Sequence, residues 1–191
     1  MKRIIKNENS KIVEGKLNYP AKASEIRTIL EQEQNGFCAY TEYRITAGFS
    51  TDVEHFNPKL KDSNDDNYYN WFAVSHKWNN FKSNKWSDFQ PVLYPIAKDL
   101  EERVIYDKEE AIYLWKENDI EARNLIKLLN LNDNKLVKER KAKIELLRTL
   151  FGEQEKELSF KKWLNHPKSK KDLIEFRRAI EEVFDINLEN E

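Results

Sequence analysis

The first regular pattern of hydrophobic positions predicts a helix over residues 22–34. Its apolar positions recur three and four residues apart, at Ile26, Ile29 and Leu30. Ser24 is the expected N-cap, and Asn35-Gly36 closes the C-terminal end. The preceding residues 1–20 carry only a weak strand pattern at 3–5, so we expect an extended arm there.

The central part of the chain alternates between strand-like and polar stretches. Residues 37–45 are aromatic and β-branched, and we predict the first strand of a hairpin there, with residues 51–57 as the returning strand. Residues 61–67 are almost entirely polar and predict a solvated loop. After an irregular stretch rich in aromatic residues, a short helix is expected from about Ser75 to Lys82.

The final third of the chain has a helical pattern. Residues 104–106 and 111–115 predict a small second hairpin. An amphipathic segment follows at 120–131, and Asn132 or Asp133 can cap a long helix that ends at Phe151. Two further helices are expected, over about 153–164 and 169–184.

Together these elements predict an α+β fold with a mostly helical C-terminal portion. The 191 residues include only four Gly and five Pro, which favours helices over an all-β fold. We divide the chain into an N-terminal arm at 1–20, a core domain at 21–118 and a helical region at 119–191.

Composition restricts the function classes further. Hydrophobic residues make up 39% and aromatic residues 12%, which is typical of a folded chain rather than a disordered one. The net charge is −1, so a polyanion site requires local clustering of cations. The single Cys38 excludes an intramolecular disulfide. Neither a signal peptide nor an apolar run long enough for a membrane span is evident, so the cytoplasm is the expected location.

The residues best suited to catalysis are Glu54 and His55. They lie at the end of a strand-like run that Pro58 stops. Hydrolysis of a phosphodiester needs a base for water, a cation for the developing charge and a group that positions the base. His55 can be the base, and Glu54 can hold a hard cation such as Mg²⁺. An amide oxygen of Asn79 or Asn80 can supply a second ligand.

The arrangement of these residues resembles the HNH, or ββα-metal, endonuclease family. The matching residues are Val53-Glu54-His55-Phe56-x-Pro58-Lys59, Tyr69-Asn70, and His76-x-x-Asn79 followed by Asn80 and Lys82. More narrowly, the chain resembles a bacterial subfamily that includes the nuclease subunits of Septu-type anti-phage systems, which act beside an ABC/AAA-type ATPase. The match covers roughly residues 36–86, and the C-terminal part matches only in its helical character.

The resemblance implies a ββα-metal core and a role for each matching residue. It makes His55 the general base and Asn70 the residue that orients it. It makes Glu54 and Asn80 the ligands of a catalytic Mg²⁺ or Mn²⁺. It implies that Lys82 or Lys85 contacts phosphate.

The implied partners are a nucleic-acid substrate and an ATPase, with no membrane. We assign the ATPase contact to the C-terminal helices, because their apolar stripes have little else in the chain to cover them. The resemblance also implies a role in antiviral defence.

Many members of this family carry a structural zinc held by two C-x-x-C pairs. The corresponding positions here read Cys38-Ala39-Tyr40-Thr41 and His76-Lys77-Trp78-Asn79. Thr and Asn are poor zinc donors, so we expect no structural zinc. Aromatic side chains are expected to hold the hairpin to the helix instead, namely Phe37, Tyr40, Trp71 and Trp78.

Two other functions remain compatible with the sequence. One is a catalytically inactive HNH-like module that binds nucleic acid or a partner ATPase. The other is a helical interaction protein in which the motif is accidental, which predicts that Glu54, His55 and Asn80 do not converge in space. The sequence does not distinguish DNA from RNA as the substrate.

Overall fold

A computed structural model describes residues 1–151, 160, 162–164, 166 and 174–188. The fold is α+β with a mostly helical C-terminal portion, as the sequence predicts. Its elements are α1 (Lys11–Glu14), α2 (Ala23–Glu33), β1 (Thr51–His55), β2 (Trp71–Ser75), α3 (His76–Lys82), α4 (Leu100–Arg103), β3 (Val104–Asp107), β4 (Ile112–Trp115), α5 (Ile120–Leu128), α6 (Asn134–Phe151) and α7 (Arg177–Phe184).

Strands β1 and β2 are antiparallel, and α3 follows β2 directly. In this register Thr51 lies opposite Ser75, and His55 lies opposite Trp71. Residues 56–70 connect the two strands and end in a 3₁₀ turn at Tyr68–Asn70. The helix predicted from about Ser75 to Lys82 is confirmed. The three elements therefore form a ββα unit with His55 at the end of its first strand.

The predicted pairing of residues 37–45 with residues 51–57 is wrong. Residues 37–44 form a compact loop in which the Cys38 N–H donates to the Tyr43 carbonyl at 2.9 Å, and only Phe37 and Arg44 form a bridge. The four side chains from Phe37 to Tyr40 are all buried. A strand points successive side chains to opposite faces, so this run suits a loop inside the core better than a strand.

Three predictions for the N-terminal part are also wrong. The expected extended arm at 1–20 contains helix α1. Residues 3–5 form no strand, although the Ile4 N–H donates to the Pro95 carbonyl at 2.9 Å. Helix α2 begins at Ala23 after Lys22, so Ser24 is not its N-cap. The predicted end of α2 is confirmed, because Gly36 adopts a φ of +73°, which glycine reaches without strain.

Most predictions for the C-terminal part are confirmed where the structure describes it, but residues 174–176, inside the helix predicted at 169–184, are not helical. The second hairpin is β3–β4, with Val104 opposite Trp115. Helices α5 and α6 match the two predicted amphipathic segments. The predicted helix at 153–164 and the start of the one at 169–184 lie largely outside the described residues, and α7 forms the end of the latter.

Strand β2 lies between two hydrophobic clusters, which explains why all five of its residues are buried. Trp71 and Ala73 face a smaller cluster with α1 and α2. Phe72 and Val74 face a larger cluster that extends from Met1 to Ile186. This alternation is the ordinary two-residue period of a strand with both faces covered. Because β1 pairs with this buried strand, the end of β1 is supported by packed side chains on both faces of β2.

Glu101 joins the beginning of the chain to α7. Its carboxylate accepts hydrogen bonds from the Arg3 backbone N–H at 2.8 Å and the Lys2 ammonium at 3.2 Å. The Arg178 guanidinium contacts the same carboxylate at 2.7 Å.

Across the described ranges, none of the helices has the combination of length and apolarity that crossing a membrane requires.

Candidate active site

A cavity of about 580 Å³ opens beside the carboxyl end of β1. It lies between β1, the start of α2, the loop after β1 and the end of α3. Its lining residues are Tyr19, Ala23, Ser24, Arg27, Thr51, Asp52, Val53, Glu54, His55, Pro58, Lys61, Asn79, Lys82 and Ser83. The cavity thus brings Glu54 and His55 together with a helix-borne amide, as the motif predicts, but that amide is Asn79 rather than Asn80.

His55 is 6% exposed and lies against aromatic rings. The Tyr19 ring meets it edge-on, with ring centroids 4.6 Å apart. Its Nε2 atom lies 3.0 Å from Oδ2 of Asp66, an ion-pair distance, although the two groups are not aligned as a hydrogen bond. Burial lowers the pKa of His55, and the Asp66 charge opposes that shift. The imidazole is therefore neutral near pH 7, which is the form that accepts a proton.

Two hydrogen bonds to the other carboxylate oxygen, Oδ1, hold Asp66 in place. Its Oδ1 accepts a hydrogen bond from the Asn70 side-chain amide at 3.0 Å and from the Trp71 indole N–H at 2.8 Å. The Asp66 side chain is 8% exposed, so this carboxylate is nearly as buried as the imidazole that it faces. The sequence prediction treated residues 61–67 as a solvated loop and missed Asp66.

Asn70 contacts the carboxylate that in turn contacts His55. The same side chain also ties down the turn after β1, since its Oδ1 accepts from the Asn57 N–H at 2.8 Å and its amide donates to the Asn57 carbonyl at 3.1 Å. Asn70 therefore acts on His55 through Asp66 and through the backbone that follows His55.

Glu54 is held by protein groups. The Lys82 ammonium donates to Glu54 Oε1 and, at 3.0 Å, to the His55 carbonyl. The Tyr40 hydroxyl donates to the same Oε1 at 3.2 Å. Burial raises the pKa of Glu54 and lowers the pKa of Lys82, while the attraction between the two groups opposes both shifts.

A second carboxylate, that of Asp52, lies two residues before Glu54 on β1. Its Oδ2 is 2.9 Å from Nδ1 of His76 and accepts a hydrogen bond from the Asn79 side-chain amide at 3.0 Å. Asn80, the predicted ligand, is exposed and is not part of the cavity lining.

These contacts test whether the site fits a divalent metal. The expected ligands Glu54 and Asn80 cannot bind one metal ion together in this arrangement. The buried Lys82 ammonium already contacts the Glu54 carboxylate, and Asn80 lies outside the cavity. Over the ranges that the structure covers, no three His, Cys, Asp or Glu side chains are grouped so that they could hold a metal ion.

The cations available to phosphate differ from those expected. Lys82 is only 3% exposed and pairs with Glu54, and the exposed Lys85 does not line the cavity. Arg27 and Lys61 are exposed and line the cavity. The motif assigns no role to either residue: Arg27 comes from α2, and Lys61 follows the end of the motif by two residues.

The residues that the HNH resemblance aligns with zinc ligands make other contacts in the structure. Cys38 is buried, and its Sγ accepts from the Ser75 N–H at 3.4 Å. His76 is exposed and contacts Asp52. Among the aromatic residues expected to replace the zinc, Phe37, Tyr40 and Trp78 belong to the larger cluster and Trp71 to the smaller one.

Comparison of the chain with family models, with curated proteins and with solved structures finds no match. Any function assigned to the cavity therefore rests on its residues and on their geometry.

Proposed function

We propose that this protein is an endonuclease that hydrolyses phosphodiester bonds of DNA or RNA, with His55 as the general base. The observation that carries the proposal is the buried His55–Asp66 pair beside a cavity that also exposes Arg27 and Lys61. The resemblance of residues 53–59 to the HNH motif agrees with this role for His55.

The chemistry of the pair is that of a positioned base. With Nε2 protonated towards Asp66, Nδ1 carries the lone pair that takes a proton from water. The resulting hydroxide forms a bond to phosphorus while the bond to the leaving oxygen breaks, and that oxygen takes a proton from solvent. Asp66 stabilises the imidazolium that forms, as a buried carboxylate does beside a catalytic histidine.

The cavity also supplies groups that suit a nucleic-acid strand. Arg27 and Lys61 present cations to the phosphates, and such contacts fix a strand without reading its sequence. The Tyr19 ring, which packs on His55 and is partly exposed, offers a face for base stacking. These contacts are compatible with both DNA and RNA.

The decisive test compares the wild type with His55→Ala on plasmid, single-stranded DNA and tRNA, with Mg²⁺, with Mn²⁺ and with EDTA. We expect cleavage that His55→Ala abolishes. His166→Ala is the matched control, since His166 is exposed and lies outside the cavity. No cleavage of any substrate by the wild type, with binding unchanged in His55→Ala, would favour the inactive nucleic-acid-binding module instead.

We also propose the ATPase partner and the antiviral role that the resemblance implies, with the contact on the C-terminal helices. Helix α6 supports this surface, because Leu146 and Leu150 are 45% and 55% exposed. Leu146→Asp with Leu150→Asp should abolish co-purification with the ATPase. Ile105→Asp, at a comparably exposed apolar position on β3, should not.

A further inference from the structure

We propose that the Lys82 ammonium takes the place of a divalent cation at Glu54, so that the site carries its own cation and Glu54 binds no metal. The role of this cation in hydrolysis rests on the proposed function. The occupancy of Glu54 by Lys82 rests on the geometry alone.

The position of the ammonium supports this inference first. Lys82 is the last residue of α3, and its side chain reaches back to β1, where it donates to the Glu54 carboxylate and the His55 carbonyl. A carboxylate and a neighbouring carbonyl are oxygen ligands of the kind that Mg²⁺ and Ca²⁺ take in proteins. The ammonium thus occupies the place where a hard cation would find its protein oxygens.

Burial makes this arrangement hard to exchange. The Lys82 side chain is 3% exposed, and its Nζ lies 5.8 Å from the centre of the Phe56 ring and 5.5 Å from that of the Trp86 ring. Removing one partner of a buried ion pair leaves the other charge uncompensated, so neither group leaves without the other. A divalent cation at Glu54 would have to displace this ammonium or share an oxygen with it.

The other carboxylate of β1, that of Asp52, is also engaged by protein groups. Oδ2 of Asp52 is already engaged by His76 and Asn79. A cation that used Oδ2 of Asp52 would therefore compete with both contacts. Both carboxylates on β1, those of Asp52 and Glu54, therefore already accept hydrogen bonds from protein side chains.

In the proposed nuclease, protein cations rather than a metal ion neutralise the negative charges of Glu54 and of the phosphate. Lys82 neutralises Glu54, so that this carboxylate does not repel an incoming phosphate. Arg27 and Lys61 then face the substrate from the exposed side of the cavity. Hydrolysis at His55 accordingly proceeds in EDTA.

Manganese binding, measured by electron paramagnetic resonance on the full chain, tests the inference without relying on activity. We expect the wild type and Glu54→Gln to bind Mn²⁺ equally weakly. Lys82→Met should gain one site about a hundredfold tighter, because the metal then neutralises an otherwise unpaired buried carboxylate. The double variant Glu54→Gln/Lys82→Met should lose that site again, and Lys85→Met should behave as the wild type.

Two results would overturn the inference: a wild-type Mn²⁺ site that Glu54→Gln removes, or a folded Lys82→Met protein with no gain in affinity. Lys82→Gln, which keeps a donor but removes the charge, replaces Lys82→Met if that variant does not fold. Cleavage assays separate this inference from the proposed function. An inactive wild type that shows the expected manganese pattern contradicts the nuclease but supports Lys82, whereas cleavage that EDTA abolishes contradicts Lys82 but supports the nuclease.

Discussion

Nε2 of His55 lies 3.0 Å from Oδ2 of Asp66, and the other oxygen of this carboxylate is held by Asn70 and Trp71. The contact joins the end of β1 to the loop that leads into β2. It gives the proposed base a buried anion at one ring nitrogen, which is the arrangement that orients and charges an imidazole during proton transfer.

Asp66→Asn should lower kcat by about 10²- to 10⁴-fold with little change in KM, the upper value being the loss known for an Asp that orients a catalytic histidine. The substitution keeps an acceptor for Trp71, so the fold should survive. Asp66 opposes the lowering of the His55 pKa, so its removal should lower that pKa further, as measured by NMR titration. Asp65→Asn, an exposed neighbour, is the control, and an equal loss of activity in both variants would contradict the assignment.

Asn70→Ala should destabilise the protein by about 2–3 kcal/mol in urea unfolding. The side chain makes three hydrogen bonds, to Asn57 and Asp66, each with a net contribution of about 1 kcal/mol. Activity should also fall, because both the turn after His55 and Asp66 lose a support. Asn64→Ala, at an exposed loop position, should change the free energy of unfolding by less than about 0.5 kcal/mol.

The sequence predicted the C-terminal ends of α2 and α6, the β3–β4 hairpin and α3, because each of these follows from a local pattern. It failed on the partner of β1. Residues 71–74 form a continuous apolar run because both faces of β2 are covered, and such a run lacks the alternation that predicts a strand. Residues 37–45 have strand-like residue types but fill the core as a loop. Pairing across the 56–70 connection is set by tertiary packing, which a local pattern does not encode.

Lys61→Ala and Arg27→Ala should each weaken nucleic-acid binding at low salt. Each loss should reduce the slope of log affinity against log salt concentration by about 1, because one phosphate contact disappears. Lys85→Ala should leave the slope unchanged, since Lys85 lies outside the cavity lining. Filter binding over a salt series gives these slopes. A reduced slope in Lys85→Ala, with unchanged slopes in Lys61→Ala and Arg27→Ala, would instead support the phosphate role that the family resemblance gives to Lys85.

Glu101→Gln should destabilise the protein by about 1–2 kcal/mol at pH 7, with a smaller effect in acid. Burial raises the pKa of Glu101, but the Arg3 N–H, Lys2 and Arg178 lower it more, and its net pKa lies below the usual value of 4.5. The unfolded state therefore takes up the proton first as the pH falls. This stabilisation is present above about pH 4.5 and is lost as the pH falls through the folded-state pKa.

Urea unfolding of the wild type and Glu101→Gln from pH 7 to pH 3 measures this effect. The two curves of stability against pH should converge at the acid end. Glu102→Gln is the control, because this neighbouring carboxylate is exposed and should show no such convergence. A constant difference over the whole range would contradict the charged role of Glu101.

The site was only partly predictable for similar reasons. Glu54 and His55 stand out because they are adjacent and end a strand-like run. Asp66 looks like an ordinary loop acid until Asn70 and Trp71 enclose it. The Lys82–Glu54 pair spans 28 residues and depends on the angle between α3 and β1, which no sequence spacing reveals.

The meeting of Lys2, Arg3 and Arg178 at Glu101 has a consequence for the order in which this chain folds. Contacts between residues far apart in sequence form slowly, because a long loop must close first. The larger cluster includes both Met1 and Ile186, so it cannot be completed on a ribosome that has not yet synthesised residue 186. Phe56, next to His55, packs in that cluster. The packing of the larger cluster around Phe56 is therefore completed only after residue 186 has been synthesised.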